Sequence, residues 1–233
     1  MSRNDSLHLH EEILLLALRD DKGTIASGTM YQYAIGGAVL AELLLGGRVR
    51  IETVKKRPMV TLVDPTPIDD PVIGECLEKV RASKKRAVAQ TWVSRFASLK
   101  GLKHRIAEGL CDRGILREDD AKILLVFTRK TYPELNPAPE RALVERLRRA
   151  IFTETDDIEA RTVVLASLAN SAGLLKAVFD KRELKGRKDR IEKIVNGEIA
   201  GKATQEAIQA MQTAVMIATI VPTIITTATV ATR

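Results

Sequence analysis

The sequence predicts an all-α fold: a mainly helical single domain spanning 1–233, with two small β-hairpins and a hydrophobic C-terminal extension over 218–233. Three observations carry that prediction. Segments of helical character far outnumber segments that alternate and are β-branched. Gly46-Gly47 and Gly114 close apolar segments, and Pro137 and Pro139 open another, as helix boundaries do. The 233 residues are 45% hydrophobic and 29% charged, a globular balance, with no repeat and no clear linker.

Residues 7–19 read as an amphipathic helix with Ser6 as its candidate N-cap. Glu11 and Glu12 fall in its first turns, where the helix dipole favours acids. Residues 20–23 make a turn. Residues 31–45 are apolar almost all round and contain Gly36-Gly37, the pattern of a buried helix with close neighbours. Residues 48–54 and 58–63 alternate around Lys55-Lys56-Arg57 and predict a hairpin, followed by a proline-broken loop over 64–71. Short helices over 72–82 and 87–96 flank the basic run Lys84-Lys85-Arg86. Residues 102–113 form the next helix. Residues 115–116 and 122–128 predict a second hairpin, with Arg129-Lys130 after it. A helix runs from the two prolines to about 152, and 156–170, 172–179 and 188–195 continue the helical pattern. Residues 204–220 make a last helix.

The charge balance, 37 Lys and Arg against 30 Asp and Glu, leaves +7. That excess suits an anionic partner: nucleic acid, an acidic protein or a membrane surface. Aromatic residues are only 3%, which disfavours a base- or sugar-stacking platform. Cys76 and Cys111 have no paired spacing; they read as buried thiols in a reducing compartment, not as a secreted disulfide scaffold. The N-terminal residues show no signal-peptide apolar region before the first acids. Residues 214–231 hold 18 residues without a charge, the length of a membrane span. Five threonines and Pro222 within it favour a buried core or interface element instead.

Chemistry-bearing constellations are sparse. His8 and His10 stand beside Glu11 and Glu12, but residues two apart on a helix face different sides, so a solvated surface is expected and a metal site is not. Neither glycine pair has the preceding strand and following Lys-Ser/Thr of a phosphate loop, and no nucleophile motif occurs. No catalytic residue, cofactor or metal is expected, and the chain reads as a non-enzyme. The basic residues are better organised: Lys100, Lys103 and Arg105 cluster at a helix start. Lys100 and Lys103 share a face if the helix begins by Lys100, and such a face can grip a phosphate.

The opening LHLHEEILLLALRDDKGT, residues 7–24, resembles the start of the Golgi phosphoprotein 3 family. Ile35-Gly36-Gly37-Ala38-Val39-Leu40-Ala41-Glu42-Leu43 through Gly47-Arg48 is similar to the family's G-x-x-L-x-E-L-x-x-x-G-R helix. Arg105-Ile106-Ala107 through Gly114-Ile115-Leu116 resembles its R-L-A-x-x-L-x-x-x-G-V-L element. Leu168-Ala169, Leu174-Leu175 and Phe179 fit a further element, and Trp92 stands at a family tryptophan. The resemblance runs from about residue 7 to 217. It implies a mainly helical peripheral membrane protein that binds phosphatidylinositol 4-phosphate, on the cytosolic face of the Golgi in eukaryotes, and retains glycosyltransferases by their cytosolic tails.

By that resemblance the second hairpin is about 119–130. Ile123, Leu124, Leu125 and Val126 are its apolar strip for membrane insertion or self-association. The family's two spaced headgroup arginines fall on Lys100 and Lys103. Its second-helix arginine falls on Gly36, and its tryptophan near Ser27. Lysine lacks the bidentate fork of arginine, so a looser grip on anionic lipid is expected. Basic groups on a headgroup and apolar groups in the interface together make two membrane signals. The alternatives are a self-associating protein-interaction scaffold and a winged-helix-like nucleic-acid binder. Against the second, Glu108 and Asp112 stand among the bases of its would-be recognition helix.

Overall fold

The computed structural model describes residues 6–19, 22–26, 29–123 and 127–199, with the backbone alone over 121–123 and 127–128. The helices are α1 (Leu9–Ala17), α2 (Tyr31–Leu45), α3 (Pro71–Arg81), α4 (Ala89–Ala97), α5 (Leu102–Asp112), α6 (Ala138–Phe152), α7 (Ala160–Ser171), α8 (Leu175–Val178), α9 (Lys181–Gly186) and α10 (Lys188–Val195). The strands are β1 (Val49–Val54), β2 (Arg57–Leu62), β3 (Ala87–Val88), β4 (Asp119–Ile123) and β5 (Phe127–Thr131). One antiparallel sheet has the order β1-β2-β3, and β4-β5 form a separate hairpin. The fold is thus mainly helical with both expected hairpins, and the two-residue β3 extends the first of them into a three-stranded sheet.

Helices α1 and α2 occupy the centre. All nine residues of α1 are buried, and α2 is buried from Ala34 to Ala41. Around them pack α4, α5, α6 and α7. Their apolar stripes meet in a core that includes Leu14, Leu40, Trp92, Phe96, Leu147 and Leu165. The capping signals are local. Asp70 accepts from the backbone N–H groups of Val72 and Ile73 at 3.0 and 2.7 Å, with Pro71 in the first turn of α3. Pro137 and Pro139 open α6 as the sequence predicts.

Several boundaries move. α1 starts after His8 rather than at Ser6, and the Glu11 carboxylate accepts from the His8 backbone N–H at 2.8 Å. Residues 87–88 pair with β2 before α4 begins. The second hairpin joins Asp119–Ile123 to Phe127–Thr131, the placement given by the family resemblance. Alternation alone put its first strand at 115–116, but Leu116 instead bridges to Glu134. The apolar positions Leu124, Leu125 and Val126, and the whole extension over 218–233, lie outside the described residues, as does Ser27.

α1 carries its charges inward, which corrects the solvated reading for His10, while the side chain of His8, just before the helix, stays 43% exposed. His10 is 1% exposed, with Nε2 at 3.5 Å from Asp70, and the His8 and His10 rings stack at 5.6 Å. Glu11 meets Arg113 at 2.9 Å, and Glu12 meets Arg146 at 2.8 Å. Glu42 of α2 accepts the first N–H of α1, from Leu9, at 2.6 Å, and pairs with Arg161 of α7 at 2.9 Å. Burial pushes Glu42 up, but His8, Arg161 and the Leu9 N–H outweigh it and hold the carboxyl at about 2. Asp70 also stands at about 2: burial raises it, and His10 and the α3 amides lower it further. Glu12 goes the other way, because burial outweighs Arg146 and Arg161. Its Oε2 is buried with no hydrogen-bond partner among the described residues.

Two outcomes follow from this network. Removing Arg146 leaves buried Glu12 without its ion-pair partner, with Arg161 acting on it only at longer range, so Arg146→Met destabilises the fold by about 3 kcal/mol near pH 8. The penalty shrinks as pH falls, because burial raises the Glu12 pKa and its protonation removes the unpaired charge; urea unfolding at pH 8 and at acidic pH measures it, and equal penalties would refute the pairing. Glu42 and Asp70 contribute stability that is fully present above their ordinary values of 4.5 and 3.8 and is lost as pH falls toward about 2. Glu42→Gln therefore flattens the acid limb of a stability–pH profile, and an unchanged limb would show that Glu42 is not tied in.

Candidate anion-binding surface

The basic cluster sits where α4 turns into α5. Gly101 precedes the helix with φ 67°, a left-handed turn that suits glycine. α5 therefore begins one residue beyond it, at Leu102. Lys100 lies in the preceding turn, exposed, and does not share a helix face with Lys103. The first turn of α5 has no acidic residue and no side-chain cap, so its N–H groups and its bases present positive potential together.

The three predicted headgroup residues separate. Lys103 is half-buried, with Nζ 5.6 Å from the centre of the Tyr132 ring. Burial, then the nearby Arg129, holds its pKa below the ordinary lysine value. Lys100 forms no ion pair among the described residues. Arg105 points away to α3, where its guanidinium meets Glu75 at 2.5 Å and donates to the Pro71 carbonyl at 3.3 Å. Arg105 is thus a structural tie between α5 and α3.

The hairpin supplies what the sequence reading left aside. A hollow of about 460 Å³ lies between α5 and β5, lined by Lys103, His104, Glu108, Arg129 and Lys130. Lys130 is engaged by Glu118 at 2.9 Å and Glu108 at 3.9 Å. Arg129 is exposed and has no carboxylate partner among the described residues. Tyr132 anchors the floor: it is fully buried, its hydroxyl lies 2.8 Å from His104 Nδ1, and its N–H donates to the Gly23 carbonyl at 3.0 Å. Burial pushes the Tyr132 hydroxyl up to about 12, and burial followed by Lys103 lowers His104. Neither group brings negative charge to the hollow. Arg129 and Lys130 were visible in the sequence as a basic pair, but their approach to Lys103 depends on the hairpin folding back against α5.

A larger hollow of about 840 Å³ lies among α8, α9 and α10, over Leu175, Leu184 and Ile191. Other candidates serve structure. Trp92 is 2% exposed, with the Arg95 guanidinium 4.6 Å above its ring. Cys76 is buried, its thiol pushed up to about 12 by burial, while Cys111 is only half-buried, which corrects the expectation for it. Among the described residues no three His, Cys, Asp or Glu side chains converge as for a metal, and no helix is long and apolar enough to cross a membrane.

Gly36 bears directly on the family headgroup pattern. A Cβ built there meets the Val93 carbonyl oxygen at 2.5 Å and the Ala97 nitrogen at 3.0 Å, both backbone atoms of α4. The position is a helix-crossing contact, so no side chain fits at 36 without separating α2 from α4.

The profile of the Golgi phosphoprotein 3 family matches residues 9–211. Among curated proteins, vacuolar protein sorting-associated protein 74 of Schizosaccharomyces pombe is 24% identical over 220 residues, 81% of this chain and 65% of the relative. The protein of the same name from Eremothecium gossypii is 23% identical over 217 residues, 80% of this chain and 65% of the relative. The chain thus matches just under two thirds of the length of these relatives.

The glycine contact makes a direct prediction. Gly36→Ala destabilises the fold by about 1–3 kcal/mol through overpacking, and at this chain length each kcal/mol lowers the melting temperature by about 2–4 °C. Gly36→Arg falls further. A melting temperature unchanged by Gly36→Ala would mean that α2 and α4 are not in this contact.

Proposed function

The chain belongs to the Golgi phosphoprotein 3 family, and from that premise we propose that it is a non-enzymatic peripheral membrane protein that binds anionic lipid headgroups in membrane trafficking. The observation that carries the reading is that Lys103 and Arg129, which have no carboxylate partner among the described residues, line one hollow beside α5, with exposed Lys100 in the turn before that helix. An uncapped helix start beside them adds fixed positive potential. A headgroup bearing a phosphate monoester, phosphatidylinositol 4-phosphate by family resemblance, matches that charge. The sorting role in the relatives' names supports an adaptor function, with the cytosolic tails of membrane proteins as protein partners and a second copy of the chain as a further one. The β4-β5 hairpin, with Ile123, Leu124, Leu125 and Val126 at its tip in sequence, provides the apolar membrane signal beside the basic one. On this reading the protein works on the cytosolic face of a membrane, the Golgi in a eukaryote. Gly36 in place of the family arginine relaxes headgroup geometry, and attraction to anionic surfaces remains.

Co-sedimentation with vesicles at physiological salt tests the reading. The full chain pellets with vesicles containing phosphatidylinositol 4-phosphate and not with neutral phosphatidylcholine. Each basic residue near an anionic surface contributes about 1 kcal/mol, so Lys100→Glu with Lys103→Glu weakens binding by at least about 30-fold. Wild-type protein that pellets with no vesicle overturns the membrane reading and favours the self-associating scaffold. Unchanged pelleting of the double variant removes these two lysines from the site.

A further inference from the structure

We propose that the hollow among α8, α9 and α10 is a docking groove for an acidic amphipathic helix of a protein partner. The groove shares no lining residue with the hollow beside α5, and the proposal takes nothing from the lipid-binding reading.

The floor is apolar and recessed. Leu175 is 2% exposed, and Leu184 and Ile191 are half-buried against the core. Four lysines from three helices line the same hollow: Lys176 of α8, Lys181 and Lys185 of α9, and Lys188 of α10. All four are exposed, and none has a carboxylate partner among the described residues. Acids close by are engaged elsewhere. Asp180 caps α9, accepting from the Arg182 and Glu183 N–H groups at 2.7 and 3.3 Å. Glu154 pairs with Arg187 at 2.6 Å and with Arg190 at 3.9 Å. Among the described lining residues only Glu192 is acidic, so four lysines against one glutamate leave the groove short of negative charge.

The walls are held in place before anything binds. α10 packs on α6 and α7, and Arg190 donates from Nε to the Ala150 carbonyl at 2.9 Å. Arg187, where α9 meets α10, donates to the Phe152 carbonyl at 3.1 Å. A groove fixed in advance loses little freedom when a partner arrives.

Charge and shape together select the occupant. A helix lying in a groove presents apolar side chains at i, i+3, i+4 and i+7, and here these meet Leu175, Leu184 and Ile191. Glutamates on its flanks meet the lysines, which fixes its orientation and speeds its arrival. The volume of about 840 Å³, within the range of about 300–1,000 Å³ for ligand pockets, takes several side chains of one helical face. A flat membrane surface meets the lysine heads but not a floor recessed to Leu175. A nucleic acid leaves that floor uncovered and finds no aromatic ring for its bases among the described lining residues. Residues 200–233 of the chain itself carry one acidic side chain, Glu206, against the four lysines.

The test uses the full chain and a set of fluorescein-labelled synthetic helices with leucine at i, i+3, i+4 and i+7 and glutamate on both flanks, read by fluorescence anisotropy. Control peptides replace every glutamate by glutamine, or every leucine by serine, and each binds about tenfold more weakly or worse. Reversing two charges turns two attractions into repulsions, so Lys181→Glu with Lys185→Glu weakens the parent peptides by about tenfold or more. Lys84→Glu with Lys85→Glu makes the same change on an exposed loop outside the groove and alters binding by less than about threefold. A photoreactive group in place of Lys185 cross-links to the bound peptide. Wild-type protein that binds none of the peptides overturns the proposal, as does binding that is equal for the glutamine peptides or unchanged by Lys181→Glu with Lys185→Glu. Phosphatidylserine vesicles that displace the peptide, and whose binding is lost only with the groove lysines, overturn it in favour of a membrane surface. A cross-link from position 185 to residues 200–233 of the same chain overturns it in favour of an internal cover.

Discussion

A nine-residue helix buried on every face carries a histidine and two glutamates into the core, and their need for partners organises the molecule. Each buried ionic group must find an opposite charge or hydrogen bonds, since an uncompensated charge in the interior costs several kcal/mol. The partners come from all sides: Arg113 at the end of α5, Arg146 from α6, and Asp70 from the cap of α3. Glu42 of α2 caps the first N–H of α1 and ties α7 through Arg161, which also donates to the Leu7 carbonyl at 2.7 Å. Apolar packing can tolerate sliding, whereas these pairs fix which helix end lies beside which. Their energetic weight lies in the cost of breaking one, more than in the net gain of forming it.

That network reaches the basic surface through α5. Arg113 pins the end of the helix to α1, and Arg105 pins its first turn to α3. With both ends held, Lys103 faces the hairpin and His104 meets Tyr132. The bases of α5 thus divide into two sets. Arg105 and Arg113 are held in ion pairs within the fold, and Lys103 has no carboxylate partner among the described residues. The same logic separates Lys130, paired with two glutamates, from its neighbour Arg129. A charge count of the segment cannot make that division, because it depends on which carboxylates the fold brings near.

Much of the fold was legible along the chain. The proline start of α6, the burial of α2 and the first hairpin all follow from local chemistry: a fixed φ, an unbroken apolar surface, and β-branched alternation. The misses have equally physical causes. His10 looked solvated because helix spacing places it on a different face from His8, yet α1 has no solvent face, and only His8, before the helix, keeps its exposure. Residues 115–116 looked like a strand of the second hairpin because they are apolar, but Leu116 bridges to Glu134 just after a left-handed turn at Gly114. Residues 87–88 read as helix because their neighbours are helical, whereas β2 offered an open edge.

By itself the sequence determined that the chain is mainly helical, where some helices begin and end, as at the prolines before α6, and that the chain is basic. Those features rest on spacing of a few residues and on backbone preferences that act within a turn or two. Tertiary structure alone decided which of the bases is available. Glu75 lies 30 positions from Arg105, Glu11 lies 102 from Arg113, and Glu12 lies 134 from Arg146. A charge is neutralised by whatever is near it in space. Separations of that length become contacts only when the helices pack, and so the division between paired bases and those without a carboxylate among the described residues appears only in the folded chain.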